Sequence, residues 1–154
     1  MNLGGSLSVP SRKSAGNRLS GMSNQEHFKV VPHFPRIVYV EAHPDMRYLM
    51  AVFLESAGYI CVGAASNAEA VECLEYAVQE FHLVIASHQP PNVDGLTLAQ
   101  ELRAKMFRGS IMIYSLTVDE SDEKDCKQFG VDAVLRNPTA GKLFLQKVAA
   151  LCRQ

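Results

Sequence analysis

Four short, unbroken apolar runs, each followed by a stretch with helical spacing, constrain this chain more than any other feature. They are Ile37-Val38-Tyr39-Val40, Leu83-Val84-Ile85-Ala86, Ile111-Met112-Ile113-Tyr114 and Ala133-Val134-Leu135. A run of this length without polar alternation suits a strand covered on both faces, as in a parallel sheet. Tyr59 to Ala64 supplies a fifth, weaker strand.

The intervening segments carry helical periodicity. Met46, Leu49, Met50, Phe53, Leu54 and Ala57 share one face at i, i+3, i+4 spacing, with Pro44 in the first turn and Gly58 as the stop. Ser66-Asn67-Ala68-Glu69 matches a capping box and opens a second helix carrying Val71, Leu74, Ala77 and Val78. Leu96 to Met106 reads as a third. Asp119 to Phe129 reads as a short, heavily charged fourth that Gly130 closes. A fifth, from about Gly141 to Cys152, is capped by Thr139 and presents Leu143, Phe144, Val148 and Leu151 as a core stripe.

Strand and helix therefore alternate five times from Arg36 onward. Short connections and right-handed crossovers then predict an α/β fold. It is a flavodoxin-like, doubly wound, five-stranded parallel sheet in the order 2-1-3-4-5, with helices on both faces. Residues 1–35 differ in kind. They are rich in Gly, Ser, Asn and Pro without sustained apolar periodicity, and the reading is a disordered tail or linker ahead of a domain over 36–154.

Charge and cysteine usage narrow the function. Residues 1–35 hold four basic residues against one glutamate, a net of +3, so the rest carries −4 of the chain's −1. A mildly acidic domain has no electrostatic footprint for nucleic acid, and the tail is too sparsely charged to argue for either nucleic acid or membrane. No apolar run approaches the ~18 residues that span a bilayer, and no apolar signal-peptide core opens the chain. Cys61, Cys73, Cys126 and Cys152 are scattered without zinc-like spacing, as expected of reduced thiols in a cytoplasmic protein.

In such sheets the working crevice lies at the carboxyl ends of the strands. Glu41 follows the first strand, Ser87 ends the third, Ser115 ends the fourth and Asn137 follows the fifth. Three ordered segments here resemble the receiver domains of two-component response regulators, over Arg36 to Arg153. Leu83-Val84-Ile85-Ala86-Ser87 with Pro91 and Asp94-Gly95 resembles their third strand, acceptor position and following turn. Arg36-Ile37-Val38-Tyr39-Val40-Glu41 with Pro44, Asp45 and Arg47 resembles their first strand and acidic loop. Gly130 to Leu135 with Asn137-Pro138 resembles their fifth strand and its Lys-Pro turn.

The resemblance implies chemistry that the residues at these positions lack. Receivers hold Mg²⁺ between an acidic pair and the acceptor Asp. Here the pair is Glu41 and Ala42, and the acceptor position is Ser87. One carboxylate leaves Mg²⁺ mostly to water, so its binding is expected to be weak or absent. The lysine position is Asn137, the fifth-strand aromatic switch position is Val134, and only Ser115 keeps the usual hydroxyl, with bulky Leu116 after it crowding the pocket. The expectation is a degenerate receiver with no catalytic residue and no metal. It would act through protein contacts on the face of the fourth helix, fifth strand and fifth helix. A histidine kinase or an output domain would be the partner, and a homodimer is compatible with that face.

Competing readings attach to the same residues. Phosphorylation on a non-standard acceptor, Ser87 or Asp94, is the runner-up. Serine catalysis at Ser87 lacks an evident base and oxyanion hole, since His88 is expected to point away. A His43/His88/Glu41 metal site is disfavoured, because loop histidines usually face solvent, and His82 reads as a surface residue. Asp94-Gly95 reads as a cap and turn into the third helix. The acidic positions Asp119, Glu120, Asp122, Glu123 and Asp125 read as a solvated face in a segment that receivers use for contact. Flavin or nucleotide binding on this scaffold lacks the Gly-rich loop after the first strand.

Overall fold

The computed structural model describes residues 34–77, 80–118 and 120–153, without the side chains of 120–122. The tail expected over residues 1–35 therefore falls almost wholly outside the described residues. Strands and helices alternate as β1 (Arg36–Val40), α1 (Pro44–Ser56), β2 (Ile60–Ala64), α2 (Asn67–Glu75), β3 (Leu83–Ala86), α3 (Gly95–Ala104), β4 (Ser110–Ser115), α4 (Glu120–Gln128), β5 (Ala133–Arg136) and α5 (Gly141–Cys152). The strands form one sheet in the order β2-β1-β3-β4-β5, every neighbouring pair parallel. This is the flavodoxin-like arrangement the alternation predicts.

Each central strand is buried on both sides, which is why its apolar run is unbroken. Val38, Val40, Val84, Ala86, Ile111 and Ile113 face one layer, where Ala70 and Val71 of α2, Leu98 and Leu102 of α3 and Cys126 of α4 close over them. Ile37, Tyr39, Leu83, Ile85, Met112 and Tyr114 face the other, against Leu54 of α1 and Phe144, Val148 and Leu151 of α5. Each of the larger side chains contributes on the order of 1.5–3 kcal/mol by leaving water.

The helix ends follow local chemistry. Ser66 accepts from the Glu69 amide at 3.1 Å, while Glu69 reaches back to the Ala65 amide, one residue earlier than an ideal capping box. Asp94 caps α3 through the Leu96 and Thr97 amides. Thr139 does not cap α5: the N-cap is Ala140, and the Thr139 hydroxyl donates to the Arg136 carbonyl at 2.6 Å.

Helix α1 departs from its expected core face. Of the six residues grouped by spacing, only Leu54 is buried; Met50 and Phe53 are half-buried, and Met46, Leu49 and Ala57 are exposed. The helix is apolar on nearly every side, so spacing alone cannot select the side that meets the sheet. Leu143 of α5 is likewise exposed, although Phe144, Val148 and Leu151 of the same predicted stripe are buried.

Candidate functional site

Parallel pairing brings the carboxyl ends of β1, β3, β4 and β5 to one rim. Val40 is in register with Ala86, Ala86 with Ile113, and Ser115 with Arg136. Main-chain bonds continue just past the strands: the Ser87 amide donates to the Val40 carbonyl at 3.0 Å and the Asn137 amide to the Ser115 carbonyl at 3.0 Å. Glu41, Ala42, Ser87, Ser115 and Asn137 therefore stand together on one edge of the sheet. Val134 lies below them in register with Ile113 and is half-buried against the α2–α3–α4 layer.

Three polar side chains on this rim are almost fully buried: Glu41, Ser87 and Ser115 are 5%, 4% and 2% exposed. Buried polar groups must find partners, and here the partners are internal. The Ser87 hydroxyl donates to the Val40 carbonyl at 3.1 Å, turning its proton toward the adjacent strand. The Glu41 carboxylate accepts from the His43 amide at 2.9 Å, closing the β1–α1 loop on itself. Burial pushes the Tyr39 hydroxyl up from its ordinary 10.0, and the Glu41 charge adds to the shift.

Arg47 braces this loop from α1. Its Nη1 donates to the carbonyls of Glu41 at 2.7 Å and Ala42 at 3.3 Å, while its stem crosses β2 so closely that a Cβ on Gly63 would lie 2.9 Å from Arg47 Cγ. The cation thus serves main-chain oxygens at the rim.

On the other side of the rim the connections converge on His88. Its carbonyl accepts from the Ser115 hydroxyl at 2.9 Å and the Thr117 hydroxyl at 3.0 Å. Its Nδ1 accepts from the Gly95 amide at 3.0 Å. The side chain is 20% exposed, so His88 is a bonded loop residue where a solvent-facing one is expected. His82 is likewise half-buried and accepts from the Arg36 amide at 3.0 Å, and His43 accepts from the Met46 amide as the N-cap of α1. Leu116 is 57% exposed and leaves the pocket uncrowded, because its neighbour Ser115 takes the inward direction.

Sequence reasoning missed the bonding roles of His88 and Thr117. Thr117 lies in the turn two residues after Ser115, its hydroxyl 3.1 Å from that of Ser115, and a hydroxyl residue so soon after the strand end was the available signal. The main-chain acceptor on His88 had no sequence signal. Among the described residues no group of three or more His, Cys, Asp or Glu side chains is arranged to hold a metal ion, and no helix is long and apolar enough to cross a membrane. A hollow between α2 and α3 of about 310 Å³, bordered by Val71, Leu74, Phe81, Leu102 and Phe107, sits at the opposite ends of the strands and does not join this rim.

Comparison with known proteins agrees with this fold. The family model described as response regulator receiver domain matches residues 37–149. The transcriptional regulatory protein AruR of Pseudomonas aeruginosa is 32% identical over 124 residues, which cover 78% of this chain and 50% of that protein. The sensor histidine kinase RcsC of Salmonella typhimurium is 26% identical over 113 residues, 73% of this chain and 12% of the kinase. The chain thus spans about half or less of the length of these curated relatives. Among solved structures, a CheY-like response regulator receiver domain protein of Methanospirillum hungatei superposes with a TM-score of 0.71 at 18% identity, covering 79% of this chain and 95% of the other. The BeF3-activated N-terminal receiver domain of Klebsiella pneumoniae RstA gives 0.70 at 23% identity, covering 77% of this chain and 99% of the other. At these identities the structures speak for the fold alone.

Proposed function

The chain belongs to the response regulator receiver domain family of two-component signalling, and from that premise we propose that it works without phosphorylation, through contacts with other proteins. One observation carries the reading: the residue at the acceptor position, Ser87, is buried and donates its hydroxyl proton to the Val40 carbonyl. A serine in that state lacks the charge of a carboxylate, and its proton is held by a main-chain carbonyl rather than by a base that would raise its nucleophilicity.

The surroundings support the same reading. Phosphoryl transfer depends on positioning and on countercharge for the moving group. Glu41 is the only carboxylate left at the metal position, with one oxygen committed to the His43 amide. Asn137 brings no charge, and Val134 cannot report a change by swinging a ring. Asp94, the other candidate acceptor, uses its Oδ1 to cap α3. Partners are expected to be a histidine kinase or an output domain, met on the face of α4, β5 and α5 in the cytoplasm, with a homodimer as one arrangement of that face.

Incubation with acetyl phosphate or carbamoyl phosphate, with and without Mg²⁺, followed by intact mass measurement, tests the proposal. Unchanged mass in both conditions is the expected result. Stable incorporation of one phosphoryl group per chain overturns it, and mapping the site to Ser87 or Asp94 would install the phosphorelay reading in its place.

A further inference from the structure

We infer that the outer side of α1 and α5 is a self-association surface, on which a second copy of this chain docks about a twofold axis. Phosphorylation has no part in it. The α4 side of α5, where Lys147 borders a hollow with Glu123 and Lys127 of α4 and Val134 of β5, stays open to other proteins.

Large apolar side chains crowd the side of α1 that faces away from the sheet. Met46, Tyr48, Leu49 and Val52 are between 45% and 69% exposed. Asp45, Tyr48, Leu49 and Val52 recur at i, i+3, i+4 and i+7, which sets them opposite buried Leu54. A helix side that meets water ordinarily carries charge, and this one presents none between Asp45 and Glu55. Arg47, the one cation of α1, turns its guanidinium to the Glu41 and Ala42 carbonyls. Contiguous apolar surface of this kind marks a place where another molecule binds.

α5 lies beside α1 over the same face of the sheet. The Phe53 and Phe144 rings pack with centroids 6.0 Å apart, and a Cβ on Gly141 would lie 3.5 Å from Phe53 Cζ. Lys142, Leu145, Gln146, Ala149 and Arg153 share the outer side, opposite buried Phe144, Val148 and Leu151. Lys142, Gln146 and Arg153 are exposed there, with Leu145 and Ala149 half-buried between them. Residues 141–153 carry Lys142, Lys147 and Arg153 and no carboxylate.

The two helices therefore complement each other across copies. α1 offers apolar surface between two carboxylates, and α5 offers a small apolar strip between two cations. A twofold axis sets α1 of each copy on α5 of the other, so one surface serves both partners. Run antiparallel, with dipoles opposed, the helices bring Asp45 to the partner's Arg153 and Glu55 to the partner's Lys142. Tyr48 and Leu49 then seat over the partner's Leu145 and Ala149. That local match is what lets two copies of a net-acidic domain approach. A two-helix face of roughly 20 by 20 Å is smaller than a standard interface, so the dimer dissociates on the order of 10–100 μM.

Sedimentation velocity of the full chain without a phosphodonor, from about 1 μM to about 1 mM, is the test. The expected result is a monomer that becomes a dimer as concentration rises. Leu49→Lys sets a cation in the seam and is expected to raise the dissociation constant by about tenfold or more. Leu143→Lys, one turn from Lys147 on the α4 side of α5, should leave it unchanged. Asp45→Arg should weaken the dimer, and adding Arg153→Asp should recover most of the loss. Urea melts at the dilute end, where each variant is monomeric, check that it folds. If Leu49→Lys does not fold, Tyr48→Lys takes its place. A chain that stays monomeric at the highest concentration overturns the inference. So does a dimer that Leu49→Lys leaves intact or that Leu143→Lys abolishes. A double variant no tighter than Asp45→Arg alone overturns the antiparallel pairing.

Discussion

The hydroxyl of Ser87 donates to the carbonyl of Val40, 47 residues earlier in the chain, at 3.1 Å. The bond ties the end of β3 to the end of β1 in addition to the main-chain bond from the Ser87 amide to the same oxygen. A side chain so placed completes the sheet edge, and a carboxylate could not make the same bond because it has no proton to give.

Ser87→Asp is therefore expected to destabilise the domain. It removes a buried donor and sets a second carboxylate at the end of the strand next to Glu41. Together these cost about 1–3 kcal/mol. Millimolar Mg²⁺ should recover part of the loss in the variant and leave the wild type unchanged, read as the urea midpoint with and without EDTA.

Arg103 holds the opposite end of the fold. Its guanidinium donates to the carbonyls of Phe107, Gly109 and Gly130 and pairs with Asp132 at 2.9 Å. Arg103→Ala is expected to cost about 2–4 kcal/mol, and Arg103→Lys should rescue little because an ammonium cannot span the fork. Gly130 packs under that side chain with φ +90°, and a Cβ there would lie 2.6 Å from Arg103 Cγ. Gly130→Ala should therefore lose more in chemical denaturation than Gly58→Ala, where φ is +97° but the space is open.

On α1, two leucines should separate cleanly. Leu54 is fully buried, and Leu54→Ala is expected to cost about 2–4 kcal/mol. Leu49 is 59% exposed, and Leu49→Ala should stay within about 0.5 kcal/mol. Paired thermal or urea melts check the assignment of the helix faces.

Alkaline pH should destabilise the protein. Burial pushes the Cys61 thiol up to about 12 and the Cys152 thiol up to about 11 from an ordinary 9.0, and raises Tyr39 as well. Each binds its proton more tightly folded than unfolded. Its contribution is fully present below the unfolded value and is lost as pH rises through the folded one. Urea midpoints should show no loss from these groups below 9.0 and fall between there and about 12. The same thiols should react slowly with a disulfide reagent at neutral pH until the chain unfolds.

Much of this architecture is legible in the order of amino acids. An apolar run such as Leu83 to Ala86 has no polar side to turn outward, so it must be covered on both faces, and the helical stretches between runs supply the cover. Gly58, Ser66, Asp94 and Gly130 act within a few residues of themselves, so their roles as stops and caps are local chemistry. The alignment of Glu41, Ser87, Ser115 and Asn137 on one rim follows from topology, because parallel strands end on the same side.

Other features depended on which surfaces meet. The apolar residues of α1 occupy nearly the whole circumference, so only docking against the sheet decides that Leu54 is inside and Leu49 outside. Thr139 has the chemistry of a cap, but its hydroxyl finds the Arg136 carbonyl first. His88 carries no marker in its neighbours, since its partners at Gly95, Ser115 and Thr117 come from two segments remote from it in the chain. The elements, the sheet and the residues along its rim follow from the order of amino acids, because hydrophobic burial and short-range hydrogen bonding set them. Which lone pair meets which proton there is set by the packing of the folded chain, because hydrogen bonds form over about 3 Å and sequence spacing cannot resolve such distances between remote strands.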